Sequence, residues 1–155
     1  MVYAVVRIKG TVNIKPDIKK TLQLLRLTRA NHCVLVGEEK NLKGMLQVVK
    51  DYVTWGEIDK KMLTSLIKQR GKLEGDKQIT DKYVSSATSF DGIEKLSEGI
   101  ISKKFNYKDI PNVKPLFRLN PPKKGYKSIK RSYKVGGALG YRGKEINQLL
   151  EKMMT

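Results

Sequence analysis

Cysteine and histidine each occur once in this chain, as Cys33 and His32, and that scarcity excludes whole classes of chemistry. A single thiol makes no intramolecular disulfide and no thiolate metal cluster, which fits a reducing, cytosolic setting. The two residues adjoin in a predicted strand, so their side chains leave on opposite faces and do not act together. Acids are also few: 15 Asp and Glu against 32 Lys and Arg. They are dispersed, with Glu38 and Glu39 the adjacent pair, so no acid/base dyad and no oxygen-rich metal site stands out. No apolar run approaches the roughly 18 residues that a spanning helix needs. In "MVYAVVRIKG" the apolar stretch precedes the charges, which is the reverse of a signal peptide. No fixed-period repeat is visible.

The sharpest absence comes late. Residues 110–144 contain no Asp or Glu, while Lys114, Arg118, Lys123, Lys124, Lys127, Lys130, Arg131, Lys134, Arg142 and Lys144 all lie there. Such a stretch repels itself unless a polyanion sits against it.

What is present is a foldable body. A length of 155 residues suits one domain of ordinary size, or a small domain with an appendage, and 39% hydrophobic residues place it above the range of intrinsic disorder. The net charge of +17 points first to nucleic acid and second to an anionic membrane surface.

"VYAVVRIK" alternates Val2, Ala4, Val6 and Ile8 with Tyr3, Val5, Arg7 and Lys9, the period of a strand with one core face and one mixed face. Pro16 then suits a first helical position, and Ile18, Leu22 and Leu25 recur at helical spacing to about Leu27. "HCVLV" reads as a second strand. Asn41 suits an N-cap for a helix carrying Leu42, Met45, Leu46 and Val49, and "YVTWG" is a third strand, with Trp55 as core or rim packing. This spells β-α-β-α-β, with one sheet face covered by two helices. Beyond it, Asp59 caps a helix with Met62, Leu63, Leu66 and Ile67, which ends at the turn-rich "QRGKLEGDK". "ITDKYVSSATSF" suggests a short helix, Asp91 a cap for another, and Ile146, Leu149, Leu150 and Met153 a closing amphipathic helix.

Between these lies the basic arm. Pro121, Pro122 and the glycines of "KKGYK" and "KVGGALGYRG" exclude regular structure there, so the arm is expected to be irregular, exposed and poor in apolar anchors, held at its far end by the last helix. Its aromatics Phe117, Tyr126, Tyr133 and Tyr141 interleave with cations, which suits RNA: cations meet phosphates and rings stack on unpaired bases. The alternative is a solvated linker. "GGALGYRGKEI" fits neither GxGxxG nor GxxxxGK[ST]; its glycines read as sites of close backbone approach, with the last helix offering its N-terminus to a phosphate. On this reading His32 is a polar strand-edge residue or an RNA contact.

"VRIKGTVNIKPDIKKTLQLLRLTRANHCVLV", followed by "NLKGMLQVVKDYVTWGEID", resembles the large-subunit ribosomal protein family L-thirty, called L-seven in eukaryotes. "FRLNPPKKGY" and "GGALGYRG" are similar to the C-terminal extension of its archaeal and eukaryotic members, and the lack of a long basic N-terminal extension points to the archaeal type. The resemblance implies an α+β fold: a ferredoxin-like core with a three-stranded antiparallel sheet and two helices over 1–58, then a mainly helical extension over 59–155 that carries the basic arm. It implies a structural, non-enzymatic role in the cytoplasm, binding ribosomal RNA of the large subunit beside neighbouring ribosomal proteins. No cofactor, metal, membrane or small-molecule substrate is expected. By position, Arg7, Lys9, Lys15, Arg26, Arg29 and Lys43 would face RNA, together with Arg118, Lys123, Lys124, Tyr126, Lys127, Lys130, Arg131, Lys134, Tyr141 and Arg142 of the arm.

Two other classes use the same basic surface. An RNA-processing factor or nuclease would need a catalytic constellation, which one histidine and dispersed acids do not assemble. A basic DNA binder suits the Pro/Gly arm less well than folded RNA does.

Overall fold

The computed structural model describes residues 2–10, 14–126 and 128–154, so Lys127 lies outside the described residues. The alternating start of the chain forms β1 (Tyr3–Arg7). Pro16 opens α1 (Pro16–Leu24), which ends as Arg26 enters the left-handed region at φ 63° and the Leu27 N–H reaches back to Leu22 O at 2.9 Å. Then follow β2 (His32–Val36), α2 (Lys40–Val49) and β3 (Val53–Glu57). The cap of α2 is Glu39 and not Asn41, whose carboxamide instead accepts from the neighbouring Leu42 N–H.

The helix α3 (Lys60–Arg70) is capped as expected, Asp59 Oδ1 accepting from Met62 N–H at 2.7 Å. The turn-rich link after it contains a strand, β4 (Lys72–Leu73). Thr80 caps α4 (Asp81–Ala87). Gly92, not Asp91, precedes α5 (Ile93–Ile101), and Asp81 supplies the carboxylate that accepts from Ile93 N–H at 2.8 Å. Three short strands follow, β5 (Val113–Lys114), β6 (Phe117–Arg118) and β7 (Gly140–Tyr141), and α6 (Ile146–Met154) comes last.

β1 pairs antiparallel with β2 and β3, giving the three-stranded unit expected from the sequence. The sheet is wider than that: β6 adds antiparallel to β2 and β7 adds parallel to β3, in the order β6-β2-β1-β3-β7. β4 and β5 form a second, small sheet. The fold is α+β.

Both faces of the main sheet are buried, not one. Val5, Val34, Val36, Val53 and Trp55 meet Leu22 and Leu46 of α1 and α2 on one side. Ala4, Val6 and Cys33 meet Leu63, Leu66, Leu96, Ile146 and Leu150 of α3, α5 and α6 on the other. This burial, which is the main source of stability in such layered folds, merges residues from both halves of the chain. The arm is anchored as well, against expectation: Phe117 is fully buried against Tyr107, 4.9 Å between rings, and Leu119, Ala138 and Leu139 are buried too. Phe117 is therefore core and is not among the rings open to a base.

Candidate nucleic-acid interface

Arg7 leaves β1 on the α1 side and is only 3% exposed. Its Nη1 donates to Leu27 O at 2.8 Å and its Nε to Lys9 O at 2.9 Å, so the guanidinium closes the loop after α1 from within. Burial holds its pKa below the ordinary arginine value. Around it lie surface cations. Arg26 and Arg29 are exposed on the loop between α1 and β2, and Arg118 is exposed opposite His32 in the β2–β6 register. His32 is half-buried; burial, then the charges of Arg118, Arg29 and Arg7, hold its imidazole below its usual pKa, so it stays neutral near pH 7. Lys9 sits with Nζ 5.4 Å from the Tyr52 ring centre, while Lys15 and Lys43 are exposed at the start of α1 and on α2.

The arm is a folded loop. Asn120 N–H to Met153 O and Lys123 N–H to Lys152 O tie its first part to α6. Gly137 N–H bonds Ser132 O at 2.7 Å, and Ala138 and Leu139 both donate to Arg131 O. A Cβ on Gly137 would stand 2.0 Å from Arg131 O, so only glycine fits this closure. Lys123, Lys124, Lys130, Arg131 and Lys134 all project to solvent, with the apolar Ile129 and Val135 exposed among them.

The remaining arm residues face inward in part. Tyr126 is half-buried and donates to Asn31 Oδ1 at 2.6 Å, and burial raises its pKa. Arg142 donates from Nε to Thr54 Oγ1 at 2.8 Å and from Nη2 to Ala138 O at 2.7 Å, and its guanidinium lies 4.8 Å from the Tyr133 ring centre. Tyr141 is exposed; its hydroxyl donates to Glu57, and that bond, followed by burial and the Glu57 charge, pushes its pKa up to about 12. The acid-free stretch also finds a carboxylate elsewhere: Asp76 pairs with Lys114 at 2.6 Å and Arg118 at 3.4 Å.

The description "Ribosomal protein L30p/L7e" matches residues 3–53. The chain is 48% identical to the large ribosomal subunit protein uL30 of Methanocorpusculum labreanum over 97% of its own length and 99% of the relative's. The uL30 proteins of Methanosphaera stadtmanae and Archaeoglobus fulgidus are likewise 48% identical, over 98% and 97% of this chain and 99% of each relative. The chain belongs to the uL30 family.

The L30p/L7e match spans β1 to the start of β3, and so includes Arg7, Lys9, Lys15, Arg26, Arg29 and Lys43. The arm lies outside that match but inside the near-full-length likeness to the archaeal uL30 proteins. Sequence reasoning passed over Asn31 and Thr54, the polar side chains that hold Tyr126 and Arg142. Neither stands in a charged or periodic pattern, so nothing in the sequence marks them. Among the described residues, no group of His, Cys, Asp and Glu could hold a metal ion, and no helix is long and apolar enough to cross a membrane.

Proposed function

We propose that this uL30 family member is a structural component of the large ribosomal subunit that binds ribosomal RNA, working in the cytoplasm as part of the ribosome. The observation that carries the reading is 48% identity, along nearly the whole chain, to proteins named as large ribosomal subunit proteins. Its part is architectural and not enzymatic.

The arrangement of cations supports the reading. Exposed Arg26, Arg29, Lys123, Lys124, Lys130, Arg131 and Lys134, with Lys15 and Lys43, are placed to neutralise phosphates, Lys9 over Tyr52 and Arg118 beside Asp76 add to them, and Arg7 and Arg142 brace the backbone beneath. Lys127 belongs to the same run by sequence. Tyr141 offers an exposed ring. We divide the chain into a ferredoxin-like core over 1–58 and an extension over 59–155 with the arm; the match over 3–53 favours that boundary. Neighbouring ribosomal proteins are the other partners.

The test has two parts. The tagged chain should remain on the large subunit through a high-salt gradient. Its affinity for a ribosomal RNA fragment should fall with salt at a log-log slope of roughly −4 to −5 for about six phosphate contacts. Release into the light fractions together with a flat salt response would overturn the reading.

A further inference from the structure

One edge of the main sheet is open over part of its length. β6 covers β2 only at His32 and Cys33. The bonds from Ile8 N–H to Tyr52 O and from Ile58 N–H to Val2 O assign the even-numbered residues of β1 to β3, so the odd-numbered ones bond to β2. Val34 and Val36, opposite Val5 and Tyr3, therefore turn their peptide groups towards β1, and the N–H and C=O of Leu35 point out of the sheet. Continuing the β6 register from Phe117 opposite Cys33 brings Pro115 opposite Leu35, and proline has no N–H to give. No backbone group among the described residues bonds the Leu35 peptide on that side.

A groove of about 530 Å³ opens onto this edge. Leu24 and Leu42 line one wall, Ile100 and Phe105 the other, and Leu24 is 66% exposed. The charge around it is of both signs: Glu38 pairs with Lys103 at 3.4 Å, and Glu39, Arg26 and Lys108 complete the rim. The groove also lies at the opposite end of the sheet from Arg7 and Arg118, although Arg26 reaches its rim. Glu57 pairs with Tyr3, and Tyr3 with Val36, so Glu38, Glu39 and Glu57 gather at one end of the sheet, whereas Arg7, His32 and Arg118 mark the other.

We infer that this groove takes an extended segment of a second protein, which adds as a strand beside Leu35. An apolar trough with an unpaired peptide edge gives such a segment main-chain bonds, and pockets for alternate side chains. The mixed rim suits a peptide with a basic residue against Glu39 and an acidic one against Lys108. A phosphate backbone would meet carboxylates here and would find no regular partner for the Leu35 peptide. The inference rests on the ribosomal reading, which makes the partner a neighbouring protein of the large subunit.

The test places a photoreactive p-benzoylphenylalanine at Asn106, which lines the groove and is exposed, in the full chain assembled into large subunits. Irradiation should give one adduct that survives ribonuclease and that maps by mass spectrometry to an extended segment of another protein. Adding Leu24→Glu should lower its yield about tenfold, as expected for a charge facing an apolar contact, while the melting temperature of the free chain stays the same. An adduct removed by ribonuclease, or no adduct in subunits that contain the chain, overturns the inference. Absence of the chain from the subunits overturns the ribosomal reading and this inference with it.

Discussion

Tyr126, in the middle of the acid-free stretch, donates its phenolic proton to Oδ1 of Asn31, the residue that leads into β2. Asn31 adopts a left-handed φ of 68°, its N–H bonds Arg7 O at 2.7 Å, and its carbonyl accepts from Leu119 N–H at 3.2 Å. One residue thus links β1, the segment after β6 and the arm.

Tyr126→Phe keeps the ring in its packing and deletes this bond together with the hydroxyl's long contact to Met153 Sδ at 3.9 Å. The expected loss is about 1 kcal/mol of folding stability, the net worth of one hydrogen bond, read from the midpoint of chemical denaturation. An unchanged midpoint would mean that the arm does not depend on Asn31.

Lys123, Lys124, Lys130 and Arg131 are exposed and appear in no hydrogen bond through their side chains with the described residues. Changing all four to Gln should make the log-log salt slope for RNA less negative by about 3, at roughly 0.7 to 0.9 per lost phosphate contact. The thermal transition of the free protein should not move. Unfolding of the quadruple variant would assign these cations a structural part.

Phe117→Ala tests the anchoring of the arm. The ring is fully buried beside Tyr107, and truncating such a residue costs about 3–5 kcal/mol. Denaturation should show a loss of that size; a loss below about 1 kcal/mol would return Phe117 to the flexible arm expected from the sequence.

The fourth test concerns acid. His32 has its pKa lowered by burial and by Arg118, Arg29 and Arg7, so the unfolded chain takes up the proton first. Its contribution to stability is present above the unfolded value of about 6.5 and is lost as pH falls through the depressed folded value. The wild-type melting temperature should therefore drop more between pH 7.5 and 5.5 than that of His32→Gln. Bound RNA phosphates near Arg29 and Arg118 should reverse the trend, with affinity rising as His32 gains its proton. Parallel melting curves for the two proteins would remove His32 from the account.

The core was legible because β1, β2, α2 and β3 carry regular apolar periods, and because Asp59 stands where a helix begins. The width of the sheet was not. β6 and β7 are two residues each, too short to show alternation, and their pairing is set by partners far along the chain. Arg7 was legible as a cation but not as a buried one, since its acceptors are backbone carbonyls, which leave no trace in the sequence. Cap choice failed at Asn41 and Asp91 for a related reason: Glu39 takes the cap position of α2, and the carboxylate serving α5 comes from Asp81 in another helix. Proline and glycine correctly marked the arm as irregular, but the same signal hid Phe117, Leu119 and Leu139, whose apolar side chains fix an irregular backbone without any repeat.

The flanking strands β6 and β7 have a consequence for biosynthesis. A nascent chain that has emerged only through β3 presents an antiparallel triplet with both sides unpaired, and bare strand sides template aggregation. One side is partly shielded when Phe117 arrives and the other only when Tyr141 does. The chain is thus most prone to stick to its own copies while it is being made, and a product truncated before residue 117 should aggregate even though its first three strands are intact.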